Sequence, residues 1–313
     1  MPSASALTAR HLRHVAAQWL QAARPALVIR VHAVRGSAPR ETGARMLIGN
    51  EQVLGTIGGG HLEWQAIDLA RKALAEATAH APMQPLKADL RDALPHTPMQ
   101  AANKPLAAWQ QTFALGPTLG QCCGGVVDLA FEPLTKATLQ AWTLPEPRFH
   151  LELHGAGHVG QAIVKLLADI DCTVRWIDER ADDHETCGAD APGLPTPDAI
   201  AALPPHIRFV NTEQAETEVA DAPPGACHLV LTHRHDLDLR IIHAVLQRGD
   251  FAFAGLIGSQ TKRAKFMHRL EAMGVPDKAL ARLTCPIGLP ELTGKEPAVI
   301  AISVVAQLLQ RTA

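Results

Sequence analysis

Two cysteines, Cys122 and Cys123, stand side by side in the glycine-rich run GPTLGQCCGG at residues 116–125. Free thiols usually pack as small apolar groups, but glycine neighbours have no side chains with which to bury them. A thiolate in a turn rich in backbone N–H groups has a lowered pKa, which makes it a metal ligand or a nucleophile. At least one of the pair is therefore expected to be functional, its soft sulfur suited to a soft metal or to a persulfide in transit. A vicinal disulfide is the competing state, disfavoured by ring strain and by a reducing compartment.

Two further glycine clusters precede this turn. Residues 36–44 read GSAPRETGA, and the planar guanidinium of Arg40 suits a phosphate or oxo group. A surface loop with a solvated arginine is the alternative. Residues 55–63 read GTIGGGHLE, where Gly58, Gly59 and Gly60 expose N–H groups ahead of a helical stretch. That arrangement can cradle an anion. Glu63 falls in the first turn of the helix, where capping explains it as well as ligand contact does.

The second half carries the third chemical feature. Residues 155–160 read GAGHVG, a full GxGxxG between a strand-like and a helix-like segment. Gly155 permits the tight turn, Gly157 lets a phosphate approach the backbone, and Gly160 lets the helix pack closely, with His158 on the turn. The helix N-terminus offers free N–H groups to an anion. Asp178 ends the next strand, where an acid accepts hydrogen bonds from ribose hydroxyls, and Arg180 could instead meet an additional phosphate. A Rossmann loop can also bind another phosphate, or nothing. Residues 232–238 read THRHDLD, which is out of register with the HxHxDH signature of dinuclear zinc hydrolases. His233, His235 and Asp236 are therefore read as the edge of a site, orienting a ligand or capping the helix that begins near Leu237.

The elements that must position these residues follow from periodicity. A helix is expected over 8–23, with Leu12, Val15, Ala16, Trp19, Leu20 and Ala23 on one face. Strands are expected at 26–34, 45–48, 52–56, 109–115 and 126–131, with a helix at 61–79 and a hairpin turn at 49–50. From residue 149 strands and helices alternate. Strands are expected at 149–153, 172–177, 207–210, 227–232 and 251–254. Helices are expected at 161–170, 237–248, 260–273 and 296–311. The predicted fold class is α/β, an N-terminal α+β domain (1–132), a proline-bearing linker (133–148) and a Rossmann-like, doubly wound parallel-sheet domain (149–313).

Composition narrows the function classes. The chain has 313 residues, a net charge of -2 and a hydrophobic fraction of 47%. Near-neutral charge and few aromatics argue against a nucleic-acid partner. The sequence has neither a membrane-length apolar stretch nor a secretory leader, so a cytoplasmic protein is expected. Six cysteines without a CxxC pair disfavour structural zinc and a disulfide framework.

Taken together, GSAPRETGARMLI, GTIGGGHLE, LGQCCGG, HGAGHVG, LTHRHDLD, FAGLIGSQTKRAKFMHRL and CPIGLPELTGKEPAVIAISVVAQLL resemble the xanthine dehydrogenase accessory protein family, XdhC/CoxI. The likeness covers nearly the whole chain. It implies a chaperone, not an enzyme, that binds the molybdenum cofactor (molybdopterin) and supports its sulfuration by a cysteine desulfurase. It also implies insertion of the cofactor into the molybdenum-binding subunit of a xanthine dehydrogenase, and self-association. The family's Cys-Gly-Gly maps onto Cys123, which the resemblance makes the molybdenum or sulfur contact. Gln260 departs from the arginine expected after Gly-Ser, and Arg263 is the nearest replacement. Lys262 and Arg263 otherwise read as solvated residues opening a helix, and the last helix as packing through Ile300, Ile302, Val305 and Leu309. The competing function is an NAD(P)-dependent oxidoreductase. It lacks a Tyr-Lys pair, because the chain has no tyrosine, and it has no use for the double-cysteine turn. A purely structural interaction protein would not need so many glycine loops.

Overall fold

The computed structural model describes residues 7–79, 106–116, 124–180 and 193–312. The chain divides into two compact units, Met1–Leu144 and Pro145–Ala313.

The first unit is an antiparallel sheet between helices. Helix α1 (Ala9–Gln21) starts at Thr8, whose hydroxyl accepts from the His11 N–H at 3.2 Å. Strands β1 (Leu27–Arg35), β2 (Arg45–Ile48), β3 (Val53–Gly55), β4 (Trp109–Ala114) and β5 (Val126–Pro133) pair in the order β3-β2-β1-β5-β4. Alternation along β1 sorts the core. Leu27, Ile29 and Val31 pack with Leu62, Ala66, Ala70 and Leu74 of α2 (Gly60–Ala79). Val28 packs with Leu12, Ala16 and Trp19 of α1. The stretch 133–148 carries a short helix, α3 (Lys136–Ala141), and Trp142 is buried in the α1 cluster of this unit.

The second unit alternates β6 (His150–His154), α4 (His158–Leu167), β7 (Thr173–Asp178), α5 (Pro197–Ala201), β8 (Ile207–Asn211), β9 (Cys227–Val230), α6 (His235–Arg248), β10 (Phe253–Leu256), α7 (Gln260–Ala272), α8 (Asp277–Leu280), β11 (Leu283–Thr284) and α9 (Pro297–Arg311). Among the described residues all its strand pairs are parallel, in the order β11-β10-β9-β6-β7-β8. This is the doubly wound Rossmann order, with its reversal between β6 and β9. Leu151 and Leu153 face Ile163 and Leu167 of α4 and Val304 and Leu308 of α9. The opposite face packs Ile177 and Val230 on Ile241, Ile242 and Val245 of α6. The expected packing of α9 through Ile302 is corrected: Ile302 is exposed, and Ala301, Val304, Val305 and Leu308 face the core. Ile300 and Leu309 lie at the margin of that face, half-buried against it.

The α6 side of β6 is polar as well as buried. Glu152 is fully buried and pairs with Arg175 at 3.2 Å and with His150 at 2.8 Å. On the same side the rings of His154 and His228 stack with centroids 6.1 Å apart. Burial holds His228 down at about 4, helped by the Arg248 charge. Burial also holds His154 well below the ordinary histidine value, with His228 and Arg175 adding to it.

Candidate functional site

Parallel doubly wound sheets bind ligands at the carboxyl ends of their strands, where the strand order reverses. Here that point lies between the loops after β6 and β9, and it gathers the second-half residues singled out by the sequence. Gly155 has φ +119°, and a β-carbon placed on it would fall 2.4 Å from the Leu231 carbonyl oxygen just after β9. A β-carbon on Gly160 would fall 2.2 Å from the Gly155 carbonyl oxygen. Both glycines are thus fixed by close backbone approach. Gly157, at the N-cap of α4, has nothing within 4 Å of that position. Its open side is the one a ligand can approach. His158 is exposed beside it, its ring against Gly193.

Asp178 is buried and already has donors. Its carboxylate accepts from the Ala156 N–H at 2.6 Å, from the Arg180 N–H at 3.0 Å, and from the Arg180 guanidinium at 2.9 Å through both oxygens. Burial pushes its pKa up, but the hydrogen bonds from Arg180 and Ala156 outweigh it, leaving the group below the ordinary aspartate value. A ribose reaching Asp178 must therefore compete with Arg180. Next in the chain, Glu179 lies 3.4 Å from Arg234 and 3.9 Å from His233. Because β6 lies between β7 and β9 in the sheet, this ion pair spans the end of β6. Burial lowers the His233 pKa, and the Arg180 charge adds to that. His235 opens α6, and Asp236 pairs with Arg240 at 3.3 Å on the surface. Neither caps the helix. Thr232 and Asp238 close that turn instead, Asp238 accepting from the Thr232 N–H at 3.0 Å and from its hydroxyl at 2.7 Å.

In the first unit the strand directions bring three loops to one end of the sheet. They are the loop after β1, the loop after β3, and the β4–β5 connection. Contacts join them. A β-carbon on Gly58 would fall 2.5 Å from Pro39 and 3.4 Å from Arg40 Cγ, so the Arg40 loop lies on the triple-glycine loop. A β-carbon on Gly125 would fall 2.2 Å from the Ser37 carbonyl oxygen, so the end of the cysteine turn lies on the same loop. Cys122 and Cys123 themselves lie outside the described residues.

The expected anion cradle at Gly58, Gly59 and Gly60 is largely filled by the chain itself. Glu63 Oε2 accepts from the Thr56 hydroxyl at 2.6 Å, the Gly59 N–H at 3.0 Å and the Ile57 N–H at 3.1 Å. The Gly58 N–H donates to the Thr56 hydroxyl at 3.1 Å. Capping is therefore the role Glu63 performs here.

Comparison with known proteins agrees with both halves. The XdhC Rossmann domain matches residues 151–308, half of the chain, and the XdhC and CoxI family matches residues 19–83. The chain belongs to the XdhC family. The uncharacterized protein YqeB of Escherichia coli (strain K12) is 25% identical over 283 residues, 88% of this chain, which spans 41% of that relative's length. A crystal structure described as a xanthine dehydrogenase from Bacillus halodurans superposes with a TM-score of 0.63 over 97% of this chain and 96% of that one. At 18% identity that likeness concerns the fold.

The XdhC-family chain also holds site residues that sequence reasoning missed or misplaced. Asp238 is fully buried and takes Lys262 Nζ at 2.6 Å, and Lys262 also donates to the Ile257 carbonyl at 2.8 Å. Arg263 donates to the carbonyls of Leu283 and Cys285 at 3.1 and 3.2 Å. Neither is a solvated surface cation, and the Arg263 guanidinium is engaged at backbone carbonyls, away from the exposed Gln260. One signal was legible: Asp238 occupies an inward position of the amphipathic pattern of α6, where an acid needs a partner.

Proposed function

We propose that this chain carries the molybdenum cofactor as cargo, supports its sulfuration with a cysteine desulfurase, and passes it to the molybdenum-binding subunit of a xanthine dehydrogenase. The observation that carries this reading is the convergence of three glycine loops at one end of the first unit's sheet. It sets the triple-glycine loop, at Gly58, and the end of the Cys122-Cys123 turn, at Gly125, against the one loop that carries the exposed Arg40. Arg40 suits the terminal phosphate of the pterin, and Cys123 suits the metal or the sulfur delivered to it. The Rossmann crevice, open at Gly157, is the place for a nucleotide, including a nucleotide-extended form of the cofactor. On this reading the protein works in the cytoplasm, associates with itself, and turns over no substrate. Among the described residues no helix is long and apolar enough to cross a membrane.

The test is cofactor analysis of the protein purified from cells that make the cofactor. Pterin fluorescence and molybdenum should both copurify near one equivalent per chain. Cys123→Ala should retain at least tenfold less than Cys172→Ala, because Cys172 is fully buried beside β7. Absence of pterin and molybdenum from the wild-type protein sinks the proposal.

A further inference from the structure

Five tryptophans stand in the chain, and four of them have structural places. Trp19, Trp142 and Trp176 are buried, and Trp109 is half-buried against Phe131 with ring centroids 4.5 Å apart. Trp64 is different. It is 52% exposed at the start of the second turn of α2, four residues after the last glycine of the triple-glycine loop. Helical side chains lean toward the N-terminus, so a residue covers the turn preceding its own Cα. Trp64 follows this rule: its ring stacks on that of His61, with centroids 5.6 Å apart and planes 24° from parallel. His61 is held in turn by Gln65, whose amide nitrogen lies 3.1 Å from His61 Nε2. The result is a fixed, exposed aromatic pair beside the loop on which Pro39 and Arg40 rest.

We infer that Trp64, oriented by His61, is the stacking platform for the flat heterocycle of the pterin. The inference rests on the proposed cofactor binding and deepens it by naming the surface that recognises the ring. The surroundings favour a small ring over a protein partner. Along the same helix His61 and Gln65 flank Trp64 and an Asp68–Lys72 ion pair at 2.8 Å follows it, so the described groups of α2 nearest the indole in sequence are largely polar. An aromatic face that is already oriented loses little freedom when a ring stacks on it. Arg40 then offers charge to the phosphate end of the same ligand.

The experiment uses the full chain and 6-hydroxymethylpterin as the probe, with indole emission and equilibrium dialysis as readouts. The wild-type protein should bind the probe and lose emission on binding, because its most exposed indole is the one covered. Trp64→Phe should bind within about threefold of wild type. Trp64→Leu, apolar but without a ring, should bind about tenfold more weakly, the loss expected when one stacked ring is removed. Circular dichroism melts should match across the three proteins, because the side chain contributes little to the core. Probe binding by Trp64→Leu equal to wild type overturns the platform and leaves the cofactor reading standing. A change of oligomeric state in Trp64→Leu with unchanged probe binding also overturns it, and assigns the face to a second copy of the chain. Failure of the wild-type protein to bind the probe overturns the inference, whereas the cofactor reading falls only if purified wild type also lacks pterin.

Discussion

Each unit presents a glycine-rich turn ahead of a helix, and the two turns are finished differently. In the first, Glu63 turns back from α2 and takes the N–H groups of Ile57 and Gly59 together with the Thr56 hydroxyl. In the second, Asp178 takes the Ala156 N–H of the turn and accepts its other bonds from Arg180, and the position beside Gly157 stays open. The same local device, free N–H groups at a helix start, thus serves structure in one unit and leaves room for a ligand in the other. Whether an acid of the chain fills the turn decides the outcome, more than the number of glycines does. On the proposed reading the first unit offers its ligand side chains, Arg40 and Trp64, whereas the second offers backbone.

The comparison breaks most visibly at Gly155. Gly155→Val places a side chain against the Leu231 carbonyl in a left-handed backbone conformation. The expected cost is about 4 kcal/mol or more, read as loss of the second unit's unfolding transition or of soluble protein. A variant that melts like wild type would show that the close approach of the two loops is not required.

Acid should act on the second unit before the first. Burial lowers the His228 pKa from 6.5 to about 4, so the unfolded chain binds a proton that the folded unit refuses. Stability contributed by neutral His228 is full above pH 6.5, falls as pH drops toward 4, and changes no further below that. The span corresponds to about 3 kcal/mol, and His154 acts in the same direction. Hydrogen exchange corrected for intrinsic rates should show β9 losing protection between pH 7 and 4.5 while β1 does not. In His228→Leu most of that loss should disappear; an unchanged profile would place the acid sensitivity elsewhere.

Glu63→Ala sharpens the contrast at a smaller cost. It leaves two backbone N–H groups and a hydroxyl without their acceptor, for about 2 kcal/mol of destabilisation in the first unit. The emptied turn should also become an anion site, so that phosphate raises the melting temperature of the variant more than that of wild type. Equal phosphate effects would mean that the turn collapses once the carboxylate is gone.

Much of this contrast was legible before the fold was known. Periodicity located α1, α2, the strands of both sheets except the two-residue β11, and the long helices of the second unit, because each of these buries one regular face. GxGxxG, its flanking strand and helix, and Asp178 announced the Rossmann order. Less legible were features that depend on partners distant in sequence. Nothing local states that Lys262 meets Asp238, or that Arg180 engages the acid expected to take a ribose. The filling of the first turn lay on the border: Glu63 was visible as a cap, but only the fold shows how many donors it satisfies. Ile302 was misassigned because an apolar helix such as α9 carries more apolar residues than its buried face needs.

The finest test lies at Gly157. Gly157→Val keeps an ordinary backbone conformation, φ -69° at the N-cap, and enters open space. Its effect on stability should stay below about 1 kcal/mol, because an exposed β-branched residue at a cap loses little more than glycine's freedom. Its effect on ligand should be larger, since the added methyl groups stand where a phosphate must come within hydrogen-bonding distance of the N–H groups of α4. Titration with pyrophosphate and with NAD measures this directly. Wild type should bind at least one of them and Gly157→Val should bind about tenfold more weakly, with matching thermal melts in the absence of ligand. If wild type and variant bind equally, the open turn is as structural as the filled one, and the difference between the two units reduces to which acid lies nearest.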